Sequence, residues 1–506
     1  MLPASKLFLA IILIGLIIRL WNLDLPLLEF YPTRQVQTAE ITQNLLKDNF
    51  NFLYPRVDYF GPQNIYYLYE FPGYNLVVAS FHKLLGNVND INGRIISILS
   101  YLIATIFLYK IASGLFNKQI GLLTIFFFSF SPLSVLTSRS FQPDEMMLAS
   151  SLGTLYFFLG WRETKSWKFL LYSCFFFAWA ALIKVVAVVF LLLPIIYIFY
   201  ETVIKKQKLT GTKFLPAIYL LAALIPSALW YLHSLEVSTR LGTFSSTAFN
   251  LSIWFGPENL ISPKYYSTMF GVEYNLVILP IGIILFLIGL ASKLTRNQSI
   301  AYWWLAGVAV YFLFFNKHSM THEYYHLPFL PIASIFIGIG AKRVIDSFNN
   351  LIIPKNLLLF ACFLLLVLLM LPPSLNRAYK PIERFSNVLE TAEALKKVSD
   401  PNDLVVGIMD NGPTLIYYSD RVGWHFGLDR ERQLDEEKFY TGEEKQITSP
   451  VADLDNYVKQ GAKYLAIANV DQFKSNQSFY NHVLNNYRLL VNNQNFLIFD
   501  LADRGI

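Results

Sequence analysis

Several histidine, lysine and carboxylate side chains of this chain stand at the ends of apolar runs, where a side chain meets lipid on one side and water on the other. The densest group is HSMTHEYYHLP, which gathers His318, His322, Glu323, Tyr324, Tyr325 and His326. That density of imidazole and carboxylate invites a zinc reading. A catalytic zinc site, however, needs paired histidines at helical spacing with a helix-borne Glu between them, and the stretch lacks that pattern. Its aromatic content also suits an ordinary interfacial belt. Lys184 interrupts ALIKVVAVVF, a position that costs energy unless the amine snorkels to a boundary. Asp144, after Pro143 and before EMMLAS, is placed to start a helix. Asp58 in PRVD and Glu70 in EFP add two further carboxylates. A carboxylate that reaches an attacking hydroxyl can take its proton, and cationic or hydrogen-bonding groups can hold a phosphate as charge develops on it.

These residues must be positioned by membrane helices. A hydrophobic fraction of 54% with 15% charged residues also describes a large buried core, so the runs decide. LFLAIILIGLIIRLW, FLLLPIIYIFY, LVILPIGIILFLIGLA and LLLFACFLLLVLLML approach the roughly 20 apolar residues that a bilayer core asks of a helix. The first run follows Lys6 without a small-residue cleavage site and is read as an anchor. The net charge of +6 gives no reason to expect nucleic acid, because basic residues mark the cytoplasmic side of a membrane protein. Cys174 and Cys362 lie far apart in apolar runs, indicating neither a disulfide framework nor a metal cluster.

A cytoplasmic N-terminus gives a consistent topology. Inner connections then carry Lys118, Arg162, Lys165 and Lys168, the KKQK stretch with Lys205, Lys206 and Lys208, Lys293 and Arg296, and Lys342, Arg343 and Lys355. Outer connections are expected at about 22–91, 138–145, 233–275 and 316–326, and they hold most of the acids, histidines and aromatics. The result is about eleven spans, with the stretch 72–86 lying as an interfacial helix because Pro72, Gly73, His82 and Lys83 interrupt it. The sequence therefore predicts a mostly α polytopic bundle over 1–373 and, over 374–506, a small extracytoplasmic α/β domain signalled by DLVVGIM, KYLAIANV and FLIFDL. The first outer loop is too long for a connector. Within it Thr33 is placed to cap a helix through TRQVQTAEITQNLLKD, followed by the aromatic-rich NFNFLYPRVDYFG. No internal repeat stands out.

PTRQVQTAEITQNLL, NFLYPRVDYFG, EFPGYNLVVASFHKLLG, SPLSVLTSRSFQPDEMMLAS, ALIKVVAVVFLLLP and HEYYHLPFLP, taken in order over roughly 1–345, resemble membrane glycosyltransferases of the GT-C fold. The likeness is to the branch of protein O-mannosyltransferases and lipid A aminoarabinose transferases. It implies inverting transfer of a sugar from a polyprenyl-phosphate donor to a protein, lipid or glycan acceptor at the outer face of a bacterial-type inner membrane. An acid of the first outer loop would be the general base, and no cofactor would be needed beyond a possible divalent cation.

The resemblance also assigns roles. Relatives with an Asp-Glu pair opening the first loop helix carry it where this chain has Arg34 and Gln35, while others have Arg-Gln there and retain acids matching Asp58 and Glu70. Asp58 is accordingly the expected base, with Glu70 second and Glu29 and Glu40 behind. Asp144 matches the acid of the family's second outer loop. Lys184 and, more weakly, Arg139 are expected at the lipid phosphate, with Arg34, Gln35, His322, Tyr324 and Tyr325 also binding substrate. The outer loop with Phe244, Phe249, Trp254, Phe255, Lys264, Tyr265 and Tyr266 is suited to close as a lid. A transporter or flippase would share the many spans, and a non-catalytic scaffold would explain the missing Asp-Glu pair. The gathering of reactive residues in outer loops favours the enzyme.

Overall fold

The computed structural model describes residues 4–63, 65–204, 214–241, 244–245, 251–347, 377–380, 382–409, 412–428 and 449–503. The KKQK stretch, Phe249, Lys355, Cys362 and the apolar run around 364 lie outside the described residues.

The chain is mostly helical. Helix α1 (Ala4–Leu20) opens it, and α2 (Pro32–Lys47) and α3 (Gly73–Leu85) lie in the long first loop. Helix α2 starts at Pro32, directly after a left-handed residue at Tyr31, and no side chain caps it. Proline's fixed φ suits the first helical position, and it places the start ahead of the expected Thr33 cap. The 13 residues of α3 are too few to cross a bilayer at about 1.5 Å each, in keeping with an interfacial helix.

The bundle proper begins with α4 (Asp90–Leu115), capped by the Asn89 side chain, which accepts from the Asn92 amide. It continues with α5 (Lys118–Phe130), α6 (Pro132–Arg139), α7 (Asp144–Thr164), α8 (Trp167–Ile183), α9 (Val186–Phe199) and α10 (Leu215–Leu241). Next come α11 (Leu251–Trp254), α12 (Pro263–Val272), α13 (Leu279–Leu290), α14 (Ile300–Phe314), α15 (Asn316–Thr321) and α16 (Phe329–Ser347). Among the described residues α4, α10 and the stretch Val186–Val203 are each long and apolar enough to cross a membrane, and two bent pairs qualify jointly. The α5–α6 pair is bent by 62° where Pro132 opens α6, and Ser134, Ser138 and Arg139 of α6 meet the C-terminal end of α1.

In the first loop β1 (Arg56–Val57) pairs antiparallel with β2 (Ile65–Leu68), and β3 (Phe244–Ser245) pairs parallel with β2. The C-terminal stretch forms the expected small α/β unit. Strands β4 (Leu404–Ile408), β5 (Gly423–Phe426), β6 (Ala462–Ile467), β7 (Arg488–Asn492) and β8 (Leu497–Asp500) make a sheet of order β5-β4-β6-β8-β7. The first three are parallel, and β8 and β7 run antiparallel.

This unit is welded to the first loop. Ile41 and Leu45 of α2 share one buried core with Val405, Leu415, Ile416, Ala466 and Ile498. The segment after β1 (Arg56–Val57) pairs with the edge of β5: the Gly423 and His425 amides donate to the Asp58 and Tyr59 carbonyls at 3.0 and 3.2 Å, and the Gly61 amide donates to the Gly423 carbonyl at 2.7 Å. That closes a sheet edge which would otherwise be open to other chains. Gly61, at φ 102°, lies so close under Trp424 that a Cβ there would sit 2.6 Å from the indole nitrogen.

Candidate functional site

Lys184 sits in the break between α8 and α9, where the backbone is extended and the amine is carried inward, 4% exposed. Its Nζ lies 2.8 Å from Asp144 Oδ1 and 3.7 Å from Glu70 Oε1. It also lies 4.9 and 5.2 Å from the ring centres of Tyr324 and Tyr325. A lysine at this depth is tolerated because a carboxylate and two aromatic faces replace its water. Asp144 opens α7 after Pro143, so one residue both begins a helix and holds Lys184. Its second oxygen, Oδ2, is buried and has no hydrogen-bond partner among the described residues.

Glu70 is the half-open member, its side chain 27% exposed, and it also pairs with Arg34 from the first turn of α2. Burial alone would lower the Arg34 guanidinium, but Glu70, followed by Tyr67, Tyr324 and Asp144, outweighs it and holds the group well above its ordinary value. A narrow cleft runs from this pair between α2 and the 55–72 segment, lined by Arg34, Thr38, Tyr67, Glu70, Phe71 and Asn75.

The HSMTHEYYHLP stretch forms the wall opposite. His322 stacks on Tyr324 with ring centres 5.2 Å apart, and His318 stacks on Trp254 at 4.5 Å. Burial, followed by the charges of Lys184 and Arg34, pushes His322 down to about 4. Burial, followed by His322 and Lys184, takes His318 down to about 3. Both imidazoles are neutral near pH 7, so they offer ring faces and hydrogen bonds without adding charge. Tyr325 is fixed through its carbonyl, which accepts from the Tyr311 hydroxyl at 2.8 Å. From the expected lid, Trp254 reaches this wall and Tyr265 donates to the Phe312 carbonyl at 3.1 Å.

Arg34, Glu70, Asp144, Lys184, His322, Tyr324 and Tyr325 thus come together from five stretches of the chain. The other expected residues lie elsewhere. The Asp58 carboxylate, 11% exposed, pairs with Arg56, which also binds Asp48 at 2.7 Å. Glu40 is buried beside it, and burial together with the Asp58 charge pushes its carboxyl well above the usual range. Gln35 is a staple: its amide donates to the Phe30 carbonyl at 2.7 Å and its oxygen accepts from the Phe141 amide at 2.8 Å. Glu29 is buried against Arg94. Arg139, 1% exposed, donates to the carbonyls of Arg19, Trp21 and Asn22 at 2.5, 2.6 and 3.0 Å and stacks over Tyr379. Its donors satisfy the carbonyls that α1 leaves open at its end.

Two neighbours carried no signal in sequence. Tyr31 adopts a left-handed backbone at φ 54° before Pro32, and Arg377 follows the last apolar run, yet both reach Glu323 at the rim of the histidine wall. Among the described residues no three His, Cys, Asp or Glu side chains gather as a metal cage.

The arrangement offers a partly exposed carboxylate, two cations held by carboxylates and a neutral aromatic wall. Residues 70–231, which include Glu70, Asp144 and Lys184, match the family model described as dolichyl-phosphate-mannose-protein mannosyltransferase. Solved structures with the same architecture include ArnT from Cupriavidus metallidurans bound to undecaprenyl phosphate, with a TM-score of 0.67 and 14% identity over 99% of both chains. The archaeal oligosaccharyltransferase AglB from Archaeoglobus fulgidus, in complex with an inhibitory peptide and a dolichol-phosphate, matches with a TM-score of 0.56 and 11% identity over 97% of this chain and 74% of that one. The arabinofuranosyltransferase AftD from Mycobacteria matches with a TM-score of 0.56 and 12% identity, over 98% of this chain and 40% of that one. No curated protein matches by sequence. The chain is an integral membrane protein with the GT-C fold, as its sequence resemblance implied.

Proposed function

We propose that the chain transfers a sugar, with inversion, from a polyprenyl-phosphate-linked donor to a hydroxyl or similar group of a protein, lipid or glycan acceptor at the extracytoplasmic face. The N-terminus would be cytoplasmic, and the bundle of 1–373 and the domain of 374–506 would meet at the first outer loop, 22–91. The observation that carries the reading is the convergence of Arg34 and Lys184 on a partly open Glu70.

In this reading the donor phosphate takes over Arg34 and Lys184 on binding and frees Glu70. The acceptor oxygen attacks the anomeric carbon from the face opposite the phosphate. Its bond to carbon forms as the carbon–oxygen bond to phosphate breaks, its proton passes to Glu70, and polyprenyl phosphate leaves with its new charge on the two cations. Asp144 keeps Lys184 aimed at that oxygen, and Tyr324 and Tyr325 present faces to the sugar. Asp58, paired with Arg56 and held by the sheet, is the second choice for the base. A divalent cation would meet Glu70 and Asp144, whose charge Lys184 and Arg34 already balance, so we expect EDTA to leave turnover unchanged.

The test is release of undecaprenyl phosphate from undecaprenyl-phosphate hexoses and pentoses by the full chain in nanodiscs, with membrane extracts supplying acceptors. Sugar transfer with release of the lipid phosphate is the expected result. Movement of the intact donor across liposomes without release would instead identify a flippase.

A further inference from the structure

The catalytic reading leaves unexplained why a tyrosine holds a strained conformation at the start of α2. A left-handed backbone in a non-glycine residue persists only where its surroundings determine it, and Tyr31 is determined from several sides. Its carbonyl accepts the Arg34 and Gln35 amides, both at 3.1 Å, and so fixes the first turn of α2. Its ring stands edge-on to Tyr324 at 5.0 Å and to His322 at 5.5 Å. Its hydroxyl donates to Glu323 Oε2 at 2.5 Å and accepts the Glu323 amide at 3.1 Å. The other oxygen of Glu323 takes Arg377 at 2.9 Å. Arg377 is anchored in turn, because Tyr379 two residues on donates to the Ile18 carbonyl and lies under the Arg139 guanidinium at 4.3 Å. It also stands over the Phe30 ring at 5.5 Å.

We infer that Tyr31, Glu323 and Arg377 form a latch that holds the His322–Tyr324 wall against the start of α2, and so sets the distance between that wall and Arg34. Glu323 is therefore a positioning residue: it touches neither Arg34 nor Lys184, and it acts through Tyr31. The inference rests on the reading of Arg34 and Lys184 as the phosphate site. Three elements distant in sequence meet on one carboxylate at the rim of the site. Opening it would let the wall of 318–326 move away from α2 and widen the entrance to the Lys184 cluster.

The test uses the full chain in nanodiscs with undecaprenyl phosphate as the probe, and reads amide exchange and binding together. Glu323→Ala should raise exchange about tenfold in peptides covering 31–38 and 318–326, with β4 and β6 unchanged, because only the latch opens. Affinity for undecaprenyl phosphate should fall by about tenfold in the same variant, through loss of preorganisation. Glu323→Gln keeps an acceptor for the Tyr31 hydroxyl and should recover most of both effects. Tyr31→Phe keeps the ring contacts and should cost about threefold in affinity, so the inference stays testable if the alanine variant folds poorly. Unchanged exchange at 31–38 in Glu323→Ala and Tyr31→Phe would overturn the latch. So would raised exchange with wild-type affinity, which would make Glu323 structural only. If the wild-type chain binds no undecaprenyl phosphate, the phosphate-site reading fails, while the exchange measurements still decide whether the latch exists.

Discussion

The first loop sets Asp58 and Glu70 beside cations, and the two places are built differently. Around Asp58 the charged partners come from one short stretch: Arg56 pairs with both Asp48 and Asp58, and the Asp58 backbone is tied to β5. Around Glu70 they come from far apart, Arg34 from α2, Asp144 from the start of α7 and Lys184 from the α8–α9 break. A local cluster shapes a turn with little loss of chain entropy. Bringing distant charges together in a low-dielectric place costs desolvation that apolar residues of the same size would avoid. Such an arrangement is characteristic of sites where charge is used. The Asp58 cluster fastens loop to sheet, and in the proposed reading the Glu70 cluster carries the chemistry.

The strongest way to break this contrast is Glu70→Gln, which removes the proposed base and keeps the shape. It should lower kcat by about 10²–10⁴-fold in the lipid-phosphate release assay, with donor affinity little changed. Lys184→Met removes a charge that is proposed to stabilise the departing phosphate, and should cost about 10²–10³-fold in kcat/KM. Its Asp144 partner would then be a buried carboxylate without a cation, so the melting temperature should drop as well. Asp58→Asn should leave kcat within about threefold, because the side chain touches none of the reacting groups, while loosening the hold of Arg56. A loss as deep as that of Glu70→Gln would exchange the roles of the two clusters.

Glu40→Gln sharpens the contrast through stability. The Glu40 carboxyl is raised in the folded chain, so the folded state holds a proton that the unfolded state releases above about pH 4.5. That contribution is present below the unfolded value and is lost as pH rises toward the folded one. The glutamine variant removes the loss, and it should melt about 2 °C higher than wild type at about pH 8, with little difference near pH 4.5.

The fold was largely legible because its signals are local or periodic. Apolar runs mark helices, DLVVGIM, KYLAIANV and FLIFDL mark β4, β6 and β8, and Pro72 with Gly73 bounds α3. Lys184 and Asp144 also stood out, one as a charge in an apolar run and the other as an acid at a helix start. Asp58 and Glu70 looked alike as loop acids, and what separates them is which partners the fold delivers, information spread over residues 34, 144, 184 and 324. Arg139 shows the same limit. An arginine near a membrane boundary suits a phosphate, but here three carbonyls at the end of α1 occupy it. Tyr31 was invisible because its role depends on a backbone angle and on Arg377.

The weld between α2 and the C-terminal sheet bears on biogenesis. The Leu27 amide donates to the Tyr418 hydroxyl across 391 positions, and the core under Ile41 and Leu45 includes Ile498 of β8. The helix that carries Arg34 therefore lacks part of its floor until Ile498 has been made, and a chain truncated before β8 holds α2 without that core. In the proposed reading β8 acts as a checkpoint: a molecule without it would present Arg34 on an unsupported helix to the lipid-linked donor.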